Sequence, residues 1–332
     1  MGFTARSEAA ARLRPAAHLN WSPVGLRFNV ATAANRGFIS LLLNWLWFLR
    51  PHGHSVGRLI ILAEDQWTAR LVSSIAPRIK SELRCEHVET QWTGGNSSQA
   101  TGFGSMDYKM LMAGRPAQIL TLLESTVGST APWVWADADA IFVSSPFSEL
   151  VFFDDDGMGG STDRPVFDLH HIADEARHGT GRRTHDPRLS AGFMALRNTV
   201  SVRALLRNWA DEMSNKVRDP SPKGWGHSPE GNQNAYRKVW LRSRATVRTR
   251  ALPGDRFING GTFFVNHTRW PEAMIAHATH VLGLPQKIGL IRRGELWRCV
   301  EAAKWLALPS VLCTAGGERC VRGRCELRTL TR

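Results

Sequence analysis

Two aspartates two residues apart, Asp137 and Asp139, follow the apolar run Trp133-Val134-Trp135-Ala136, and apolar character resumes at Ile141. The run reads as a buried strand, and side chains two apart on a strand point the same way. Two like charges held side by side cost energy unless a proton or a cation neutralises them. A hard divalent ion such as Mg²⁺ or Mn²⁺ takes oxygen ligands and is often shared with a substrate diphosphate. Asp-Ala-Asp after an apolar strand therefore points to a metal–diphosphate site. Alone the pattern is weak, because Asp also favours turns and caps. Phosphatases with an aspartyl nucleophile also place Asp-x-Asp after a strand, near the N-terminus and with Thr or Val two places on. Here Ile141 stands at that place, deep in the chain, and that chemistry is set aside.

Further along, the segment AHATHVLGLPQK supplies His277, His280, Gly283 and Lys287. A neutral imidazole is a nitrogen ligand for Mn²⁺. Glycine at 283 lets the backbone approach a phosphate closely, and Lys287 brings a point charge to it. The bland alternative is a loop with surface histidines.

The elements that must position these groups alternate in type. Strands are expected at 26–32, 58–63, 85–89 and over WVWA, with helices over 38–50, from near Trp67, and over MDYKMLMAGRPAQILTLLES. Such alternation argues for an α/β fold with a mostly parallel sheet. Ligands bind such sheets at the carboxyl ends of the strands, where Asp137 and Asp139 fall. The second half is less regular. DDDGMGGSTDRP and HHIADEARHGTGRRTHDP read as long polar loops, the usual place of substrate-binding elements. Helical periodicity returns at SVRALLRNWADEM, and RFINGGTFFV reads as a strand entered through a glycine turn. No linker divides the chain into independent domains.

The order of these blocks resembles the nucleotide-diphospho-sugar transferase family of plant and algal cell-wall biosynthesis. Its members include xylosyl- and arabinosyltransferases of GT-A fold that retain anomeric configuration. VATAANRGFISLLLNWLWFLR is similar to the family's first strand and LLNWL helix, and FGSMDYKMLMAGRP to its FGS…RP block. WADADAIFVSSP resembles the metal-binding strand, closing on Pro146. GGSTD, LSAGFMALRNT, GNQNAY and INGGTFF follow in the family's order. HATHVLGLPQKIGLIRRGELW then keeps His277, Gly283, Lys287 and Trp297 in register with a closing HANW…G…K…GLW.

The resemblance implies a single GT-A-type, Rossmann-like domain over residues 25–300, with an extension at 1–24 and a basic, Cys-containing tail at 301–332. It implies a UDP-sugar donor, a Mn²⁺ or Mg²⁺ cofactor, and a glycan or glycoprotein acceptor. Asp139 would ligate the metal, Asp137 the metal and the ribose, and His277 would complete the protein ligands. Gly283 and Lys287 would hold the diphosphate. Thr32, Ala33 and Asn35, just past the first strand, would lie near base and ribose, and Arg115 near a phosphate or the sugar. Gln233 would sit under the sugar, beside Asn232, with Asp163 on sugar hydroxyls. The family's usual Asp before that Gln is Asn232 here. A catalytically weak relative that binds nucleotide sugar or glycan is therefore the alternative. Asp163 reads equally well as a turn former.

Composition narrows the field. The formal charge of +13 favours anionic partners, although much of it is dispersed, with a local cluster in GERCVRGRCELRTLTR. A nucleic-acid partner is not expected, because no helix-turn-helix, zinc-finger or aromatic RNA-binding motif occurs. No run reaches the ~20 apolar residues of a membrane span. Phe38–Leu49 is shorter, carries Asn44 and reads as a buried helix. Nor is a signal-peptide core visible, although the family implies an anchored enzyme of the Golgi lumen. Cys313, Cys320 and Cys325 read as a stapled tail in an oxidising compartment, and sequons at Asn20, Asn96 and Asn266 agree with one. Of the 13 tryptophans, Trp45, Trp47 and Trp209 read as core, while Trp225 in a Gly-rich loop is a candidate for acceptor stacking. His170 and His171 beside Asp168 read as a solvated loop rather than a second metal site.

Overall fold

A computed structural model describes residues 27–93, 106–150, 167–173, 189–218, 231–260, 262–265, 270–279, 283–313, 318–321 and 324–327. The chain opens with strand β1 (Phe28–Ala34), helix α1 (Ile39–Leu49), β2 (Val56–Ala63), α2 (Gln66–Leu83) and β3 (His87–Trp92). It continues with α3 (Met106–Glu124), β4 (Trp133–Ala136), β5 (Ala140–Phe142), β6 (Leu169–Ala173), β7 (Leu189–Leu196), α4 (Val200–Arg218) and α5 (Gly231–Ser243). Then come β8 (Thr249–Leu252), β9 (Phe257–Asn259), α6 (Thr262–Val265), β10 (Ile275–His277), α7 (Leu284–Arg293), α8 (Cys299–Trp305), β11 (Glu318–Val321) and β12 (Arg324–Leu327).

Seven strands form the central sheet in the order β3-β2-β1-β4-β7-β6-β8. β1, β2, β3 and β4 pair in parallel, β6 and β8 likewise, and β7 alone runs antiparallel to both its neighbours. β1 is buried at every position, as expected of a strand covered on both faces. Its Val30 and Ala34 pack into one core with α1 and α2, while Ala31 and Ala33 pack into the other with α3, α4 and α5. Helix α1, ISLLLNWLWFL, is apolar on nearly every side and accordingly buried. A small sheet, β5-β10-β9, lies beside the central one. Helices thus cover both faces of a mostly parallel sheet, the α/β arrangement expected.

Trp45 and Trp209 are fully buried, and Trp47 packs partly buried against the first core. Other expectations change. β1 runs to Ala34, so Thr32 and Ala33 belong to the strand and only Asn35 lies past it. β9 precedes the Gly260 turn rather than following it, and TFFV is helical. The packed core also continues past residue 300. Ala302, Ala303 and Leu306 are buried against it, and Cys313 is disulfide-bonded to Cys299 rather than to the tail. Cys320 and Cys325 are register partners across β11–β12. The sequons at Asn20, Asn96 and Asn266 lie outside the described residues, as does Trp225. No helix of the described residues is long and apolar enough to cross a membrane.

His170 and His171 are not in a solvated loop. They lie on β6, paired with β7 and β8, and both are buried. Burial, helped by His170, holds the His171 imidazole down at about 4 against an ordinary 6.5. The unfolded chain therefore takes up this proton first as pH falls. The contribution of His171 to stability is complete above pH 6.5, drops by about 3 kcal/mol on the way to pH 4, and levels off below. Denaturant titrations across that window should show a shallower pH slope, by about one proton, in His171→Gln. An unchanged slope would place the uptake elsewhere.

Candidate active site

The two aspartates do not lie on a strand. β4 ends at Ala136, and the Ala140 amide donates to the Asp137 carbonyl at 2.8 Å, closing a turn before β5 begins. That turn, rather than strand alternation, brings the carboxylates together. The Asp137 amide donates to the Gly192 carbonyl of β7 at 2.7 Å, and the Ala278 amide donates to the Asp139 carbonyl at 3.1 Å. Asp137 is thus tied to the central sheet and Asp139 to the small one. His277 ends β10 opposite Ala140. Its Nε2 is 3.5 Å from Asp139 Oδ1, and its Nδ1 is 3.4 Å from the Ser190 hydroxyl.

One ligand atom each from Asp137, Asp139 and His277 lie within 4.8 Å of one another. Two carboxylate oxygens and an imidazole nitrogen suit Mn²⁺ or Mg²⁺, and this is the group of that kind among the described residues. Burial pushes the Asp137 carboxyl up, offset in part by Arg115. With 31% of its side chain exposed, Asp137 feels burial less than Asp139, at 6%. Burial acts on Asp139 in the same direction, but Lys287 and His277 outweigh it and hold its carboxyl well below the usual range. Lys287 Nζ donates to Asp139 Oδ2. Burial works to lower the Lys287 ammonium, and Asp139 overrides it and raises it.

Arg115 is engaged by carboxylates. Nη1 donates to Asp137 Oδ1 at 2.9 Å, Nη2 to Glu64 Oε1 at 3.1 Å, and the guanidinium lies 4.8 Å from the centre of the Trp135 ring. Trp135 Nε1 donates to the same Asp137 oxygen at 3.2 Å. Gly283 caps α7 with φ +83°, a conformation that favours glycine. Its carbonyl accepts from the Lys287 amide at 3.2 Å.

At the carboxyl end of β1, the Thr32 hydroxyl and both side-chain atoms of Asn35 are buried without a hydrogen-bond partner. Buried polar groups are nearly always satisfied, so a row of them beside the aspartate turn fits groups that a ligand would meet. Ala33 lies between them. Asn232 and Gln233 form the half-buried first turn of α5, which packs on β7. Asn232 Oδ1 is also buried without a partner. Among the described residues, no hydrogen bond or ion pair joins Gln233 to the aspartates. Asp163 and His280 lie outside the described residues.

Sequence reasoning missed three groups. Glu64 and Asp65 follow β2, and their carboxyl-end position beside β1 was the available signal. Asp65 caps α2 through the Thr68 amide at 2.8 Å and accepts from the Arg36 amide at 2.5 Å, pinning the segment that carries Asn35. Tyr108 stands two turns before Arg115 on α3, hence on one face. Burial raises its hydroxyl; Lys287 lowers it, and Asp137 and Asp139 raise it, so it lies within their electrostatic reach. An open cleft at the opposite edge of the sheet, around Arg27, Asn29, Arg58 and Thr126, contains none of these groups.

A mostly parallel sheet with paired aspartates and basic partners at its carboxyl edge is a site of the kind that takes a divalent ion and a phosphate-bearing ligand. Comparison with known families agrees: the model of the nucleotide-diphospho-sugar transferases matches residues 54–290, well over half of the chain. The chain belongs to that family and is a glycosyltransferase. No curated protein matches it. The solved structure of a galactosyltransferase, LgtC, in complex with donor and acceptor sugar analogues, is similar over 84% of this chain and 95% of its own, at 11% identity and a TM-score of 0.48. That likeness is too distant to bear on substrate or mechanism.

Proposed function

We propose that this glycosyltransferase is metal-dependent and retaining, and moves a sugar from a UDP donor to a hydroxyl of a glycan or glycoprotein in the Golgi lumen. Pentoses such as xylose or arabinose are the favoured cargo, on the family resemblance. The observation that carries the reading is the Asp137–Asp139–His277 cluster with Lys287 against it. These three side chains would hold Mn²⁺ or Mg²⁺, which when bound supplies Lewis-acid neutralisation of charge building on the diphosphate.

The chain's own groups do the rest. Lys287 transfers its ammonium from Asp139 to a diphosphate oxygen, beside the backbone of Gly283. Thr32, Ala33 and Asn35 receive base and ribose, with the unpartnered Asn35 amide offering both a donor and an acceptor. Arg115 holds Asp137 on the donor. The Gln233 amide oxygen stabilises positive charge at the anomeric carbon, but an amide is a poor nucleophile. The acceptor hydroxyl therefore attacks on the face the leaving group vacates, and its proton passes to a diphosphate oxygen. Asn232 and Asp163 bind hydroxyls of the donor sugar.

Asn232 also favours a second reading, a relative that binds nucleotide sugar with weak or no transfer, because a carboxylate anchor is missing there. Incubating the protein with a panel of UDP-sugars separates the two. Turnover of a UDP-pentose with Mn²⁺ and none with EDTA is expected. Metal-dependent binding with no donor hydrolysed would select the second reading.

A further inference from the structure

Glu64 is a buried carboxylate that nothing above uses directly. Its side chain is 3% exposed, and its partner Arg115 is 8% exposed. Arg115 bridges Glu64 at 3.1 Å and Asp137 at 2.9 Å, so one guanidinium is shared by two carboxylates. Trp135 covers the guanidinium face at 4.8 Å, excluding water from it. In such surroundings charges act on one another far more strongly than in water.

We infer that Glu64 sets the charge the aspartate turn presents to a cation, acting through Arg115 as a positioning residue. The inference rests on the metal reading proposed above. With His277 counted as the neutral imidazole that a metal ligand must be, Asp137, Asp139 and Glu64 carry three negative charges against two positive ones on Arg115 and Lys287, leaving one net negative charge. Without Glu64 the group would be neutral, and the whole of Arg115's charge would fall on Asp137. With it, Arg115 orients the Asp137 oxygen while its charge is already half answered. Burial raises the Glu64 carboxyl above its ordinary value, and the Arg115 guanidinium at 3.1 Å offsets part of that rise and favours the charged form.

The test is Mn²⁺ binding to the protein alone, without nucleotide, read by electron paramagnetic resonance of free Mn²⁺. Glu64→Gln keeps the shape and should weaken binding about tenfold or more, since one full charge is lost in a poorly screened site. Arg115→Gln added to Glu64→Gln restores the net charge and should recover affinity to within about threefold of the wild type. A purely structural role would leave the double variant as weak as the single one or weaker. If Glu64→Gln alone melts too low to measure, Arg115→Gln should bind Mn²⁺ about tenfold more tightly than the double variant. Equal affinities of wild type and Glu64→Gln, or a double variant with no recovery, would overturn the role of Glu64 while leaving the metal reading intact. Absence of Mn²⁺ binding in folded wild type would overturn both.

Discussion

Asp139→Asn is expected to abolish metal-dependent UDP binding, with a loss of about a thousandfold or more. Asp139 is 4% exposed and carries the charge that both Lys287 and His277 face. An amide of the same shape keeps one acceptor oxygen but removes that charge from the ligand set, and hard divalent ions select charged oxygen. The same change leaves the Lys287 ammonium, 25% exposed, without its counter-charge. Breaking a buried pair on one side costs about 3–5 kcal/mol, and partial exposure brings this nearer ~2 kcal/mol. Calorimetry of UDP with Mn²⁺ and with EDTA checks the prediction, alongside a melting curve to confirm the fold. UDP binding that survives both EDTA and Asp139→Asn would defeat the metal–diphosphate reading.

The second large effect is expected at Gly192, which touches no substrate in any reading. A methyl group built there would lie 2.0 Å from His277 Cε1 and 2.6 Å from its Nε2. β7 is held on both sides by β4 and β6, so the ring rather than the strand must yield. Gly192→Ala should cost about 1–3 kcal/mol of stability from overpacking and weaken Mn²⁺ binding by about tenfold to a hundredfold as the imidazole leaves its place. Gly289→Ala on α7 is the comparison, because nothing lies within 4 Å of a methyl group there. It should be neutral or stabilising by up to ~1 kcal/mol. Normal metal affinity in folded Gly192→Ala would show that His277 is not a ligand.

Much of this site was legible because periodic apolar segments announce their elements. WVWA marked β4, and the rule that ligands sit at carboxyl ends located the aspartates. The local geometry was not legible. Asp137 and Asp139 were read at one strand end, aligned by strand alternation, whereas the chain turns between them and enters another sheet. That switch depends on β5 finding β10, more than a hundred residues away, and no local pattern encodes it. His170 and His171 were misread for a related reason. Polar letters in a polar neighbourhood look solvated, yet β6 inherits its burial from β7 and β8 on either side. Glu64 was passed over because a lone acidic residue after a strand has no signature until Arg115 is seen against it.

The placement of the aspartate turn has a mechanical meaning. One carboxylate belongs to the seven-stranded sheet and the other, with His277, to the three-stranded one. The turn is therefore a seam, and a ligand gripping both carboxylates stitches the two sheets together. Its binding energy is then felt as resistance to their parting, so nucleotide and metal would rank among the determinants of how long the folded enzyme survives heat.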